Sequence, residues 1–396
     1  MSYVVRWKQQ MILSHKIRIY PNKEQEVFLK KSCGVARFAY NWGLAEWEKQ
    51  YKNGEKPNHF ILKKQFNVIK KDEFPFVCEV STYCSQIAFI NLGRAYKNFF
   101  DRRAKYPKFK KKGIHDSFGL DNLKFHIDGK HIKLAKMQPM KMAEELRFDG
   151  KIMSGTVSRV ADKWYISISV EVKKDLTLPK TGKYVGVDLG VKDIAITSDG
   201  YKFANPRWIQ KSEKKLKKLQ RELARRKRAS KRRERTRLRL VRKHNRVANQ
   251  RKDWLHKITA YLVRNYDVIS LEDLNVRGMV KNHNLAKAIT NASFGEFNRQ
   301  IEYKAQMYGK QIYRVDRFFP SSKTCSVCGC IQDKMPLNVR EWTCPDCGAH
   351  HDRDINAATN LLRQAMPEVT HGERPALVIS EISDVTKLDS LNRESY

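Results

Sequence analysis

Two Cys-x-x-Cys pairs, Cys325/Cys328 and Cys344/Cys347, are separated by fifteen residues late in this chain. No other feature constrains the fold as tightly. Each pair turns two sulfurs to one side, and four thiolates together match a tetrahedral Zn2+ site. Such a set closes the coordination sphere and leaves no open position, so the zinc is expected to be structural. Cys330 follows Cys328 too closely to replace a knuckle partner easily and is read as a non-ligand. His350 and His351 are near enough to be spare ligands, but four cysteines suffice. Cys33, Cys78, Cys84 and Cys330 lack disulfide-like spacing, which fits a reducing cytoplasm.

Charge supplies the second constraint. Lys and Arg number 79 against 42 Asp and Glu, a formal net charge of +37. Such a field attracts polyanions, which points to nucleic acid more than to a small substrate. An anionic membrane is the other polyanion available, but the sequence has no apolar run of eighteen residues, no signal peptide and no lipidation motif. The expected location is the cytoplasm, in association with the nucleoid, with no membrane partner. The charge is concentrated in residues 211–252, half of which are Lys or Arg. Leu216, Leu219, Leu223, Leu238 and Val241 give this stretch sparse apolar spacing, so long helices are expected, broken near Ala229 and Ser230. Few acids offset the charge, which favours a nucleic-acid contact over a merely solvated face. Arg225, Arg226, Arg228, Arg232 and Arg233 are the candidate contacts.

With 396 residues, 41% of them hydrophobic, the chain can bury the cores of two or three domains. Residues 1–10 have no clear pattern, and Met11 offers a second start. Lys16 to Tyr20 alternates like a strand and stops at Pro21-Asn22. Helical spacing follows over 23–51, 60–70 and 81–100, which alone would read as a helical bundle with a basic face. The period then changes to two: Trp164, Ile166, Ile168, Val170 and Val172 point one way and their neighbours the other. A hairpin is expected at 124–134 around Asp128-Gly129, making a small barrel or sandwich to which the first strand belongs. Residues 178–183 read as a linker. Beyond it a strand hairpin over 183–197, the basic helices, a strand at 267–272, a helix at 294–308 and a strand at 311–315 describe an α/β domain. After Met366 the sequence is polar, and residues 367–396 are expected to be poorly ordered.

Three acids sit where apolar elements stop: Asp188 and Glu272 at strand ends, and Asp354 at the start of the final helix. Each alone could be a cap or an ion-pair partner for one of the many arginines. Together they would repel unless cations neutralise them, and Mg2+ or Mn2+ takes oxygen ligands. Two such ions can activate a water and stabilise the leaving oxygen of a phosphodiester. Asp352 is the competing candidate beside Asp354.

These motifs resemble those of the TnpB family, nucleases encoded by bacterial and archaeal insertion sequences and related to type V CRISPR effectors. The resemblance rests on VGVDLGVKDIAI (185–196), VISLEDL (268–274), GEFNRQIEYKA (295–305), FPSSKTCSVCG (319–329), EWTCPDCG (341–348) and HDRDINAA (351–358). IRIYPNKEQ, ARFAYNW and AYKNFF agree more loosely in the N-terminal half. The resemblance implies an α/β multidomain fold. Its parts are an RNase H-like RuvC nuclease domain with an inserted zinc ribbon, preceded by a wedge-type β-barrel that a helical recognition domain interrupts. The boundaries expected are a first wedge strand at 11–22, the helical domain at 23–110, the barrel at 111–178, the nuclease domain at 183–316, the ribbon at 317–350 and a final nuclease segment at 351–366. The motifs make Asp188, Glu272 and Asp354 the catalytic, metal-holding acids, with Asp354 favoured over Asp352. They imply a guide RNA from the transposon end and a double-stranded DNA target cut beside a short transposon-adjacent motif, the guide pairing with one strand. Tyr51 and Gln86 fall at positions that would read that motif. A nuclease-inactive RNA-guided DNA-binding regulator and a transposase accessory protein are the alternatives, and the intact acids argue against the first.

Overall fold

The computed structural model describes residues 11–173, 175–336 and 338–365, with Asn284 described by its backbone alone. The order expected of residues 367–396 therefore falls outside the described residues. The chain divides into two compact units between Asp175 and Leu176.

The first unit is built on β1 (Met11–Tyr20), a strand that starts five residues before the alternating stretch at Lys16. Its early half escaped the alternation rule because it buries a polar residue, His15, and leaves Ile12 exposed. It forms by pairing, Met11 to Ile19 lying opposite Val172 to Trp164 of a partner strand. Pro21 ends β1, and Asn22 then caps α1 (Lys23–Lys52): its side chain accepts the Gln25 N–H while the Gln25 side chain accepts the Asn22 N–H. Next come α2 (His59–Ile69) and α3 (Tyr83–Phe100), joined by an aromatic cluster in which Phe66 meets Phe38, Trp42, Phe74 and Phe89.

The chain then returns to the sheet through β2 (Ser117–Asp121), β3 (Phe125–Asp128), β4 (His131–Leu134), β5 (Met140–Met142), β6 (Lys151–Val160) and β7 (Lys163–Val172). Strand order is β2-β6-β7-β1-β5-β4-β3. The expected hairpin is present as β3 and β4, with Asp128 opposite His131, so its turn is Gly129-Lys130 rather than Asp128-Gly129. The sheet curls until its two ends nearly meet: a Cβ on Gly155 of β6 would sit 2.9 Å from the Phe125 ring of β3. Glycine there lets the barrel-like sheet nearly close over Ile17, Ile132, Met140, Ile166 and Ile168, which share one core with the helices.

The second unit holds β8 (Tyr184–Asp188), β9 (Asp193–Thr197) and β10 (Lys202–Ala204) in an antiparallel run. The basic stretch follows as α4 (Trp208–Arg225) and α5 (Lys231–Asn265). They break at the expected place, where Ala229 takes a positive φ of 63° and the Ser230 hydroxyl accepts the Arg233 N–H to start α5. β11 (Val268–Glu272) enters parallel to β8, the short α6 (Val276–Met279) and α7 (His283–Ala292) follow, and α8 (Phe294–Tyr308) ends on Gly309 at φ 68°. β12 (Gln311–Val315) completes the order β10-β9-β8-β11-β12, parallel to β11. A separate two-stranded ribbon, β13 (Glu341–Thr343) and β14 (His350–Asp352), precedes α9 (Arg353–Ala365).

Alternation along the strands decides where α9 packs. Val185 and Val187 of β8, with Ile269 and Leu271 of β11, share a core with α5 and α8. Gly186 and Ser270, one residue out of phase, face the opposite side. There α9 lies directly on the sheet: a Cβ on Gly186 would come within 1.8 Å of the Ala358 carbonyl oxygen. The Ser270 hydroxyl donates to the Leu361 carbonyl at 2.6 Å, fully buried. Asp188 shares the phase of Gly186, and Glu272 that of Ser270, so both acids emerge on the α9 face.

Candidate active site and metal centre

Strand phase turns the acids of β8 and β11 toward the face that α9 covers, near enough for Glu272 and Asp354 to act on Asp188. The three are less tightly gathered than the ribbon cysteines. Asp188 ends β8 and is partly exposed as a residue, yet its carboxyl is pushed up to about 7. Desolvation is the largest cause, and the nearby carboxylates of Glu272 and then Asp354 add to it, against an opposing pull from Arg353. Glu272 ends β11, where its Oε1 accepts the Ser321 hydroxyl at 2.5 Å. Asp354 lies in the first turn of α9, with both carboxylate oxygens facing Arg340 at 3.2 and 3.3 Å.

Asp352 does something else. Its Oδ1 accepts the N–H groups of Asp354 and Ile355 at 3.0 Å, capping α9, and its Oδ2 pairs with Lys202 at 2.6 Å. Those donors hold its carboxyl below the usual range against the desolvation that would raise it. Sequence reasoning gave no role to Ser321, although it lies within the FPSSKTCSVCG motif, and missed Arg340, which no local pattern marks.

The burial of Asp188, with repulsion from the neighbouring acids, has a thermodynamic signature. Without metal, folded Asp188 keeps its proton to about pH 7, whereas the unfolded chain releases it near about pH 4. Folding then takes up a proton between these values, so stability falls as pH rises from about 4 to about 7 and is flat above. Asp188→Asn removes that loss. In chelator at pH 8 the variant is expected to be more stable than the parent by on the order of 1–4 kcal/mol, with little gain at pH 4. Urea unfolding at the two pH values measures this, and equal stability at pH 8 would refute it.

The four predicted ligand cysteines do converge. Their sulfurs all lie within 4.8 Å of one another, the one group of three or more His, Cys, Asp or Glu so gathered among the described residues. Cys325 and Cys347 are 3.7 Å apart at sulfur, and Cys328 and Cys344 3.6 Å. A tetrahedron of Zn–S bonds of ~2.3 Å requires about 3.8 Å, so the set fits zinc. The backbone N–H of Cys347, with that of Asp346, pushes the Cys344 thiol down to about 7 against desolvation, toward the thiolate a metal needs. Cys330 stands outside the group, and bonding to Asp346 helps push its thiol up to about 11. His351 is buried with Nε2 3.1 Å from the Cys325 sulfur, and exposed His350 contacts Thr343.

The candidate nucleic-acid residues are dispersed. Tyr51, near the end of α1, is 70% exposed, and Gln86 on α3 is half-buried. Arg225, Arg228 and Arg232 are exposed at the joint of α4 and α5. Arg226 and Arg233 instead clasp that joint: Arg226 donates to the Arg232 carbonyl, and Arg233 to the carbonyls of Leu223 and Arg226. No helix among the described residues is long and apolar enough to cross a membrane.

A nearly closed barrel-like sheet with inserted helices, and an α/β unit that carries a four-cysteine ribbon, give the chain a Cas12f-type fold. Cas12f1, solved by cryo-EM in a complex with guide RNA and target DNA, matches with a TM-score of 0.55 at 13% identity, over 89% of this chain and 98% of that one. The chain belongs to the TnpB family. A Streptomyces pristinaespiralis protein provisionally named an RNA-guided DNA endonuclease is 35% identical over 92% of both chains. InsQ of Escherichia coli K12, with the same provisional name, is 30% identical over 90% of this chain and 93% of its own. The OrfB_IS605 model, described as "Probable transposase", matches residues 167–283, and the Cas12f1-like TNB domain model matches 294–361. A helix-turn-helix model of the same family matches residues 11–56, which form β1 and one continuous helix here.

Proposed function

We propose that this protein is an RNA-guided DNA endonuclease of an insertion sequence. The observation that carries this reading is the shared strand phase of Asp188 and Glu272 toward the face that α9 covers, where burial and then Glu272 and Asp354 push Asp188 up to about 7. Strand order β10-β9-β8-β11-β12, antiparallel and then parallel, supports an RNase H-like RuvC domain, with the four-cysteine zinc ribbon inserted between β12 and α9. In this reading the first unit is the wedge barrel with its helical recognition insertion.

The three acids would hold Mg2+ or Mn2+, which supplies an activated water and neutralises the charge that builds on the leaving oxygen. This chain's own residues supply the frame. β8 and β11 fix two carboxylates at their ends, and α9 brings the third. Arg340 neutralises Asp354 and would leave it for a bound cation or phosphate. The exposed Arg225, Arg228 and Arg232 would track a nucleic-acid backbone, and Tyr51 and Gln86 would face the DNA beside the target.

The relatives named as RNA-guided endonucleases support a guide RNA and a double-stranded DNA target. The guide would come from the transposon end, and cutting would occur beside a short adjacent motif. In the test, RNA that co-purifies with the protein is sequenced, and the loaded protein is given magnesium and a matched plasmid library. Cleavage confined to matched targets that share one flanking motif is expected. Cutting without RNA, or RNA-dependent binding with no cutting in either metal, would overturn the reading, the second outcome in favour of a regulator.

A further inference from the structure

Glu272 and Asp354 belong to elements joined by the whole α8–β12–ribbon excursion, yet one short segment touches both sides of the site. The Ser321 hydroxyl donates to Glu272 Oε1 at 2.5 Å, and Ser321 is 6% exposed. The carbonyl of the same residue accepts Asn360 Nδ2 at 2.8 Å, and Asn360 is a 3% exposed residue of α9. Asn360 Nδ2 also donates to the Thr324 carbonyl at 2.6 Å. One turn earlier, Asn356 donates to the same carbonyl at 2.7 Å and accepts the Ser326 N–H at 2.9 Å. Two buried asparagines at i and i+4 on α9 thus grip residues 321–326, the segment that carries Cys325.

Gripping a ribbon needs only the asparagines. The Ser321 hydroxyl serves no backbone group and no thiol; it meets a catalytic candidate. A hydroxyl that donates to a carboxylate makes a short charge-assisted bond, which fixes the carboxylate's rotamer and so the oxygens it presents toward Asp188. Since Asn360 holds Ser321 by its carbonyl, the position of α9 is relayed to Glu272. On the other strand the relay is steric, because the missing side chain of Gly186 lets α9 lie against β8.

We infer that Ser321, held by Asn360, is a positioning residue that sets Glu272 relative to Asp354. This rests on the reading of the three acids as catalytic. The test uses the full chain loaded with its guide RNA. Ser321→Ala is expected to retain bound zinc and target affinity within about 3-fold, while the maximal cleavage rate falls about 10–100-fold. Mn2+ affinity, read by electron paramagnetic resonance of the non-cleaving complex with a mismatched target, is expected to weaken about 10-fold. Ser321→Thr, which keeps the hydroxyl, is expected to restore both. Because the two residues form one path, Ser321→Ala with Asn360→Ala should cut no more slowly than the worse single variant.

Parental cleavage and Mn2+ affinity in Ser321→Ala, or additive losses in the double variant, overturn the inference. So does a loss of zinc or target binding in Ser321→Ala, which would make the residue merely structural. Asp188→Ala in the same assay separates the two levels. If it still cuts, the reading of the acids fails; if it is dead while Ser321→Ala matches the parent, only the relay fails.

Discussion

Asp354→Ala is expected to abolish target cleavage, by about 10^3-fold or more, while Asp352→Ala is expected to stay within about 10-fold of the parent. The two residues share one turn of chain but have opposite surroundings. Asp354 projects from the first turn of α9 close enough to Asp188 to raise it, and its partner is an arginine that could move away. Asp352 already spends both oxygens, one on two helix N–H groups and one on Lys202. Its loss removes an N-cap worth about 1 kcal/mol and loosens α9 without deleting a ligand. Single-turnover cleavage by the two loaded variants decides the matter. A dead Asp352→Ala beside an active Asp354→Ala would reverse the assignment.

Zinc removal is the second large effect. The ribbon's own apolar core consists of Cys325, Trp342 and Cys344 with Cys330, Met335 and Val339 packed against it, too little to fold alone. Structural zinc sites contribute ~10–16 kcal/mol of apparent binding free energy in small peptides, so losing the metal should unfold the ribbon. Thr324 and Ser326 would then release Asn356 and Asn360. Cys344→Ser is expected to lower zinc content below one ion per chain and to reduce cleavage by more than about 100-fold, with guide RNA still bound. Elemental analysis and cleavage on the same preparation provide the check, and a zinc-free protein that cuts at the parental rate would contradict it.

The sequence made some of this legible and hid the rest for identifiable reasons. The alternation from Trp164 to Val172, the helical spacing after Lys23, the break at Ala229-Ser230 and the helix at 294–308 are local signals, and each appears in the structure. β6 is different: it leaves Lys151, Met153, Ser154 and Thr156 exposed and buries few residues, so its pairing with β2 and β7 determines it more than its pattern does. The acids could be picked out as charged residues ending apolar runs. Their common face could not, because it depends on the phase of Gly186 and Ser270 against a helix far along the chain. The contacts of Ser321 and Arg340 could not be read for the same reason, since their partners are 49 and 14 residues away. The family motif already favoured Asp354 over Asp352, and the capping bonds of Asp352 add a physical reason.

The order in which the ribosome delivers these parts has its own consequence. β8 and β11 emerge with two acids, and the basic helices between them are already complete, but the third acid arrives with the last described helix. At roughly 5–20 residues per second, the 82 residues from Glu272 to Asp354 take on the order of 4–16 s to make. Throughout that interval the nascent chain carries its most cationic surface without a finished cutting centre. In the proposed reading, a nonsense mutation ahead of Asp354 is expected to remove the third acid together with α9, which covers the Gly186 and Ser270 face of the sheet, so that cleavage and the packing of that face are lost together.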